Sequence, residues 1–538
     1  MSPGTGPMPA GELPFKPGEA PFTRIEQFGL LAALLLAAAL MWPLRDYVTD
    51  DTYIHLQYAR HLAQGQGLVF NPGERVYGCT SPLWVALIAD GIAFGLDGLA
   101  VARTLGFAAT LASVGLFLQL LRRTLRTPAV RVAGTLAWAG HAWMLRWSMS
   151  GMETPLAVAL ILAGFVAFTE GKQWGARPVR TGSLWALAAL TRPEAALLLL
   201  LWGIFLLVDA ENRQGLRRLV AGALPPLAVY GGWLLFARVY FGTFWPQTLT
   251  AKAAAGSGLE FQLANLWRQA RIVGATDALP VAMLALALVL GGRRLWGVRP
   301  AESAAQRLVP WAWIVVLPLL YSARGVPVIS RYLLPVLPVI QWLAWRACES
   351  WWLGRDATRA RRATVFAAIA AAAILVWNFG VYRSAVIPQV RTFSPALNES
   401  LVRWGRWFDE HAGEKASIGT PDIGAIGYFS RRHVVDFAGL ITPEMVRFLR
   451  REPQHDAIAA FRFAAFSRPD YLVDRDSTAF GLRHRSPYGA CLQPLGAAEM
   501  PNLGIARPEP TVYSFYRVDW AAFDSLRAAR ATPGGASP

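Results

Sequence analysis

The chain is built from long blocks of apolar residues that are separated by short polar segments. A helix that crosses a bilayer needs about 20 predominantly apolar residues. The blocks predict candidate membrane spans at residues 28–45, 99–121, 130–148, 155–170, 181–191, 194–208, 219–240, 277–291, 308–322, 332–349 and 363–381. This pattern is typical of a polytopic α-helical membrane protein with about eleven transmembrane helices.

The distribution of cations between the spans predicts the orientation of the chain. If the N-terminal segment 1–27 is cytoplasmic, the arginine-rich loops at 122–131, 293–307 and 355–362 are cytoplasmic as well, as Lys and Arg residues near span ends usually are. This arrangement requires that the apolar stretch 82–94 does not cross the membrane. We therefore expect an interfacial or re-entrant helix there, and a C-terminus on the external side.

From residue 382 onward the charges are mixed and no apolar run is longer than a strand. Strand-like runs at 416–419, 426–429, 433–437 and 471–473 alternate with helical stretches at 400–411 and 444–450. This alternation predicts a soluble external α/β domain over 382–538, after a transmembrane domain over 28–381. The glycines at 419, 424 and 427 are expected to serve turns.

Composition excludes an ordinary soluble enzyme, because 54% of the residues are hydrophobic and only 16% are charged, against about a quarter charged in a typical soluble domain. The net charge of +17 is spread over membrane loops, so we expect a lipid bilayer and no nucleic acid as partner. Cys79, Cys348 and Cys491 are far apart, without CxxC spacing, and indicate neither a disulfide framework nor a zinc site.

The first external loop, within residues 45–98, carries the densest set of polar residues. The sequence TDDT at 49–52 is typical of a helix start, and the GQG sequence that follows at 65–67 would end the helix. Ile54, Tyr58 and Leu62 recur every four residues, so we expect this helix to lie on the membrane surface with that stripe facing the lipid.

Two interpretations apply to the adjacent carboxylates Asp50 and Asp51. Aspartate is a preferred N-cap residue, and a second acid in the first turn complements the helix dipole. The pair also lies directly after the first span, where a lipid headgroup would be. An ionised carboxylate there could act as a general base toward a hydroxyl or hold a divalent cation.

The loop and several later segments together resemble one enzyme superfamily. Residues 50–84 read DDTYIHLQYARHLAQGQGLVFNPGERVYGCTSPLW. In chain order there follow SGMETPL (150–156), LTRPEA (190–195), YFGTFWPQTLTAK (240–252), SRYLLPVLP (330–338) and PDIGAIGYFSRRHVVDFAGL (421–440). This ordered set resembles the GT-C superfamily of integral membrane glycosyltransferases, in particular its bacterial branch of terminal β-(1→2) arabinofuranosyltransferases.

The resemblance implies an inverting glycosyl transfer on the periplasmic face of a bacterial plasma membrane. The donor would be a polyprenyl-phosphate sugar, with arabinofuranose as one candidate, and the acceptor a cell-envelope glycan or another lipid-linked acceptor. Asp50 matches the family's catalytic aspartate and is expected to be the base, with Asp51 as its partner. No cofactor is firmly implied. If a divalent metal binds, Asp50 and Asp51 are its expected ligands.

Further residues at the external ends of spans are candidates for substrate binding. Glu153 either binds the acceptor or is a helix-start carboxylate before a proline. Arg192 and Arg331 either hold the donor phosphate in a bidentate fork or extend to the membrane interface as anchors. Arg75 and Lys252 are weaker phosphate candidates of the same kind.

Aromatic and histidine side chains in the same regions have simpler explanations. Trp84 and Trp245 could stack on a sugar, but tryptophan is also enriched at membrane interfaces. His55 and His61 are six residues apart on the predicted helix, too poorly aligned to share a metal, and we expect both to be ordinary surface residues.

A membrane transporter or lipid flippase is the alternative function. Such a protein would be expected to have inverted repeats and charged or broken helices near the bilayer midplane. The candidate polar residues here lie instead at the external ends of spans, which favours the enzyme.

Overall fold

A computed structural model describes residues 21–170, 177–208, 213–253, 258–296, 304–352, 357–505 and 507–531. The first part of the chain is helical, and the last part adds a small sheet. The helices up to the predicted domain boundary are Arg24–Met41, Asp50–Ala63, Pro82–Ala93, Gly98–Thr124, Pro128–Ala139, Ala142–Ser148, Thr154–Phe168, Pro178–Thr191, Ala196–Val208, Arg213–Pro226, Gly232–Phe241, Gln247–Ala253, Leu259–Trp296, Ala304–Ala323, Ser330–Leu333, Leu337–Trp352 and Ala357–Val381.

The helices confirm a multi-pass membrane protein. Among the described residues, five helical segments are long and apolar enough to cross a bilayer by length and composition: Arg24–Leu44, Gly98–Thr124, Gly215–Phe241, Leu259–Val289 and Arg361–His411. Shorter apolar helices lie at Pro82–Ala93, Thr154–Phe168, Pro193–Leu207 and Leu308–Ala323. The predicted number of eleven spans stays a prediction.

The helix Pro82–Ala93 has 12 residues. At 1.5 Å per residue it is about 18 Å long, against about 30 Å for the hydrocarbon core of a bilayer. It is therefore too short to span, which agrees with the expected interfacial or re-entrant helix. Its position relative to a membrane stays a prediction.

Two of the predicted spans differ from the observed helices. The span expected at 130–148 consists of two helices, Pro128–Ala139 and Ala142–Ser148, because His141 caps the second helix by accepting the N–H of Met144. The span expected at 277–291 is the end of a helix that begins at Leu259. The polar residues within 259–276, which precede the predicted span, continue this helix instead of ending it.

The predicted domain boundary at 381/382 lies inside a continuous helical segment. The segment runs from Ala357–Val381 through Ile387–Leu397 to Arg403–His411, joined by single π-helical turns. The membrane part and the C-terminal part are therefore joined by a helix and not by a flexible linker. The division into domains at this residue stays a prediction.

The C-terminal part contains a five-stranded mixed sheet. Its strands are β1 Ser417–Thr420, β2 His433–Asp436, β3 Tyr471–Asp476, β4 Leu492–Met500 and β5 Thr511–Val518, in the order β2-β1-β3-β5-β4. β1 pairs in parallel with β2 and β3, whereas β5 is antiparallel to β3 and β4. The helices of this part are Gly424–Ser430, Pro443–Leu449, Gln454–Ala459, Gly481–Arg485 and Trp520–Ala531.

This sheet confirms the predicted α/β domain and the strands expected near 416, 433 and 471. The strand expected at 426–429 is wrong, because those residues belong to the helix Gly424–Ser430. A short apolar run does not distinguish a strand from a turn of buried helix. The glycines at 424 and 427 lie inside that helix and Gly419 lies in β1, so none of the three is in a turn.

Candidate active site

The helix Asp50–Ala63 begins and ends where its sequence predicts, and we call it the surface helix. It starts after Thr49 and stops before Gly65, which has a φ of +74°. The predicted lipid-facing stripe is wrong. Tyr58 is fully buried, and Ile54 and Tyr58 line a cavity. The stripe does not face the lipid, because the surface helix packs against the helix Pro82–Ala93 on one side and against Gly424–Ser430 on the other.

A half-open cavity lies between the surface helix, the segment around residue 153 and the residues near Arg192 and Arg331. Four of the predicted site residues line it together: Asp51, Glu153, Arg192 and Arg331. Ile423, Leu440 and Ile441 of the C-terminal domain close one side. The cavity is therefore built jointly by the membrane part and the C-terminal domain.

Two arginines are held inside this cavity by carboxylates. A terminal nitrogen of Arg331 lies 2.5 Å from Asp51 Oδ2, and one of Arg192 lies 2.7 Å from Glu153 Oε1. Arg192 also donates to Glu194. Arg192 is only 4% exposed and Arg331 8%, so the alternative that they anchor the protein at the membrane interface is wrong.

Glu153 connects Arg192 with a histidine of the surface helix. His55 Nε2 lies 3.2 Å from Glu153 Oε2, and both residues are buried. Burial alone would raise the pKa of Glu153, but the hydrogen bond from His55 and the charge of Arg192 hold it below its ordinary value. Glu153 precedes the helix Thr154–Phe168 without capping it, so its contacts are those of a cavity residue.

Asp50 lies beside the cavity and faces the C-terminal domain. Its Oδ1 accepts the N–H of Ala425 at 2.7 Å, and its Oδ2 accepts the N–H of Gly424 at 2.9 Å. The expected capping of its own helix is therefore replaced by a contact with another domain. Burial and the negative charge of Asp422 raise the pKa of Asp50 to about 7, although the Ala425 hydrogen bond acts in the opposite direction.

The remaining predicted residues lie away from the cavity or outside the described part. Arg75 is exposed and stacks over the ring of Tyr240 at 4.7 Å. The Trp84 ring is fully buried and its Nε1 donates to the Gly151 carbonyl, so the expected sugar contact is wrong for Trp84. Trp245 is exposed. The side chain of Lys252 lies outside the described residues.

Both histidines of the surface helix were misjudged from the sequence. His55 lines the cavity, and His61 is buried with its Nδ1 3.1 Å from the Val69 carbonyl oxygen. A signal for His55 exists in the sequence: residues 51, 55 and 58 follow helical spacing, so His55 lies on the same face as Asp51. Its partner Glu153, 98 residues later, has no such signal.

The sequence leaves open whether the protein binds a divalent metal. No cluster of three or more His, Cys, Asp or Glu side chains that could hold a metal ion occurs within the part of the chain that the structure describes. The two expected ligands also have other partners, since Asp50 accepts backbone N–H groups and Asp51 pairs with Arg331. The pair alone does not make a metal site.

The chain is similar in sequence to two curated arabinofuranosyltransferases. The chain is 29% identical over 325 residues to the terminal β-(1→2)-arabinofuranosyltransferase of Corynebacterium glutamicum, a match that covers 54% of this chain and 46% of the relative. The enzyme of the same description from Mycobacterium tuberculosis is 30% identical over 266 residues, with 46% and 40% covered. The chain thus spans less than half the length of the curated relatives it matches.

The fold is also found in solved structures. ArnT from Cupriavidus metallidurans, bound to undecaprenyl phosphate, superposes with a TM-score of 0.53 at 14% identity over 91% of this chain and 97% of ArnT. A family model described as a domain of unknown function, DUF8728, matches residues 389–528. The similarity to terminal β-(1→2)-arabinofuranosyltransferases, which the sequence motifs predict, is confirmed, and the match to ArnT shows that the fold is shared.

Proposed function

We propose that the protein is an inverting glycosyltransferase that moves a sugar from a polyprenyl-phosphate donor to a cell-envelope glycan. The pair of buried arginines in one cavity, next to the Asp50–Asp51 pair, carries this proposal. Burial of a guanidinium without compensation is costly, and the pairing of Arg331 with Asp51 is incomplete: within the described structure, Nε of Arg331 has no hydrogen-bond partner. A ligand with several acceptor oxygens would complete the site.

A phosphate provides such acceptors in the required geometry. The guanidinium group of arginine donates in a planar fork that matches phosphate oxygens, and charge-assisted hydrogen bonds of this kind are the strong ones. When the donor phosphate enters, it would compete with Asp51 for Arg331 and with Glu153 for Arg192. Both arginines would then stabilise the negative charge that develops on the departing polyprenyl phosphate.

The two carboxylates differ in where they stand relative to the arginines. Inversion requires that the attacking hydroxyl and the leaving phosphate lie on opposite sides of the anomeric carbon. Asp51 contacts Arg331 and so stands on the phosphate side. Asp50 faces the C-terminal domain, which supports Asp50 as the general base and Asp51 as the residue that orients Arg331.

In the proposed step one proton is transferred, one bond forms and one bond breaks. The acceptor hydroxyl oxygen forms a bond to the anomeric carbon while the bond from that carbon to the phosphate oxygen breaks. The hydroxyl proton goes to the Asp50 carboxylate, and the electron pair of the broken bond leaves with polyprenyl phosphate. A carboxylate has about four acceptor sites, so the two backbone N–H groups leave Asp50 room for this proton.

The names of the sequence relatives favour arabinofuranose as the sugar. The periplasmic face of a bacterial plasma membrane as the location and a glycan as the acceptor are parts of the same proposal. A divalent metal on Asp50 and Asp51 is not needed for the proposed step. The transporter alternative has no observation in its favour, since the polar cavity residues lie next to the external surface helix.

A donor panel tests this function. Purified protein in bilayer nanodiscs is incubated with polyprenyl-phosphate pentoses and hexoses and an arabinan acceptor, and released polyprenyl phosphate is quantified. We expect acceptor-dependent release from the arabinofuranose donor. Absence of release from every donor would refute the proposed function, and release from a hexose donor alone would refute the assigned sugar.

A further inference from the structure

The helix Gly424–Ser430 of the C-terminal domain docks directly on the surface helix, and we call it the docking helix. Its first two residues donate consecutive backbone N–H groups to the Asp50 carboxylate, at 2.9 Å from Gly424 and 2.7 Å from Ala425. One N–H group is directed at each carboxylate oxygen. Such paired contacts fix the rotation of the carboxylate plane as well as its position.

Gly424 is the residue that permits this contact. A Cβ atom at position 424 would lie 1.9 Å from the backbone oxygen of Asp50 and 2.7 Å from its Oδ2. Backbone atoms cannot give way as the end of a flexible side chain can. A side chain at 424 would therefore force the two domains apart at the point where Asp50 is held.

Other contacts hold the docking helix and the strand after it against the first external loop. Arg60 of the surface helix donates to the Tyr428 carbonyl at 2.9 Å. Asn71 exchanges two hydrogen bonds with the backbone of Val434, at 2.9 and 3.0 Å. His433 lies 2.8 Å from Glu74. The N–H groups that hold Asp50 are thus fixed relative to the loop at several independent points.

The docking helix is in turn fixed to the sheet of its own domain. Asp422, two residues before Gly424, accepts hydrogen bonds from Arg475 at 2.7 Å and from the hydroxyl of Tyr513 at 2.8 Å. Arg475 lies on β3 and Tyr513 on β5. The segment that leads into the Gly424 and Ala425 amides is therefore fixed to two strands of the C-terminal sheet.

We infer that the C-terminal domain positions the Asp50 carboxylate through the amides of Gly424 and Ala425 and is therefore part of the active site. Gly424 is the positioning residue. This inference rests on the proposed function, because it needs Asp50 to be the base. It gives a role to the domain that the family model describes only as a domain of unknown function.

A double-mutant cycle separates positioning from mere domain docking. The four proteins are wild type, Gly424→Ala, Asp50→Asn and the double variant, assayed with the donor that the panel identifies. We expect Gly424→Ala to lower kcat by ~10- to 100-fold, the scale of a small misplacement of a catalytic group, with donor KM within about twofold. In the Asp50→Asn background the same change should cost almost nothing, because residues that act as a unit are not additive.

Gly427→Ala is the matched control on the same helix. A Cβ at 427 would meet Cζ of Phe70, the far end of a side chain, at 2.6 Å and not Asp50, so the ring can shift while the amides of Gly424 and Ala425 keep their contact with the carboxylate. Its kcat should stay within about threefold of wild type. If Gly424→Ala does not fold, Ala425→Pro removes one of the two donors at a position in the first helical turn, where proline is tolerated, and it should lower kcat in the same way.

The outcomes distinguish the two proposals. If the wild type is active and the kcat losses of Gly424→Ala and Asp50→Asn are additive, the positioning role is overturned and the proposed function stands. The same holds if Gly424→Ala and Gly427→Ala lose kcat equally. A wild type that is inactive with every donor would refute the proposed function and this inference with it.

Discussion

At the residue scale, the two carboxylates of the acidic pair lie in different environments. Asp50 and Asp51 are adjacent at the start of one helix, yet Asp50 binds backbone N–H groups of the C-terminal domain and Asp51 binds an arginine of the cavity. The sequence identifies both as candidates, because an acidic pair after a membrane span is conspicuous. It could not assign their partners, which lie 280 residues or more away along the chain.

The arginine that would hold the donor phosphate gives the first prediction. Arg192→Lys keeps the charge but loses the fork that donates to Glu153 and, in the proposed complex, to phosphate. We expect a donor KM raised by about tenfold or more, read from initial rates, while the exposed Arg238→Lys stays at the wild-type value. An unchanged donor KM in Arg192→Lys would show that Arg192 only balances the charge of Glu153.

The pH dependence gives the second prediction. The pKa of Asp50 is raised to about 7, and a base acts only when it is ionised. kcat/KM should therefore rise with pH through about 7 and level off above it. Asp422→Asn removes a negative charge that favours the protonated form of Asp50, so the rise of kcat/KM should occur at lower pH in this variant. An unchanged pH profile in Asp422→Asn would contradict the electrostatic coupling between Asp422 and Asp50.

At the element scale, the surface helix was predicted with its bounds and the docking helix was mistaken for a strand. The sequence of the surface helix has residues typical of a helix start and glycines that mark its end, which are local signals. The docking helix has only seven residues and is stabilised by its contacts with the first external loop. Its helical state depends on residues that are distant in sequence, so local patterns could not predict it.

Removal of one docking contact gives the third prediction. Asn71→Ala leaves the buried N–H and carbonyl of Val434 without their partner, at a cost of ~1–3 kcal/mol for each unsatisfied group. We expect a lower thermal unfolding midpoint by calorimetry. Glu74→Gln is the control, since its pair with His433 is half-exposed and such pairs contribute ~0–1 kcal/mol. Equal midpoints for Asn71→Ala and wild type would contradict the docking role.

At the scale of the whole molecule, the fold class follows from the apolar blocks, and its details follow from tertiary contacts. The polytopic membrane part and the C-terminal α/β domain were both predicted. The cavity between them was not, because it needs Ile423 and Leu440 of one part to meet Asp51 of the other. The predicted lipid-facing stripe failed for the same reason, since the C-terminal domain covers the surface helix.

The orientation in the membrane gives the fourth prediction. Glu414 of the C-terminal domain is exposed and predicted to be external, whereas Arg177, with a side chain 61% exposed, is predicted to be cytoplasmic. In intact cells an impermeant thiol reagent should label Glu414→Cys and leave Arg177→Cys unlabelled. The native cysteines are all buried, so background labelling should be low. The opposite pattern would reverse the topology.

The role of Asp50 as general base is tested most directly by the turnover of Asp50→Asn with a verified donor. A positioned general base contributes ~10²- to 10⁴-fold, whereas one lost hydrogen bond to the docking helix costs about 1 kcal/mol of stability. We expect a folded protein whose kcat falls by at least ~10²-fold, while Asp46→Asn, an exposed acid of the same loop, keeps wild-type turnover. A folded Asp50→Asn protein with near wild-type kcat would show that Asp50 is not the general base.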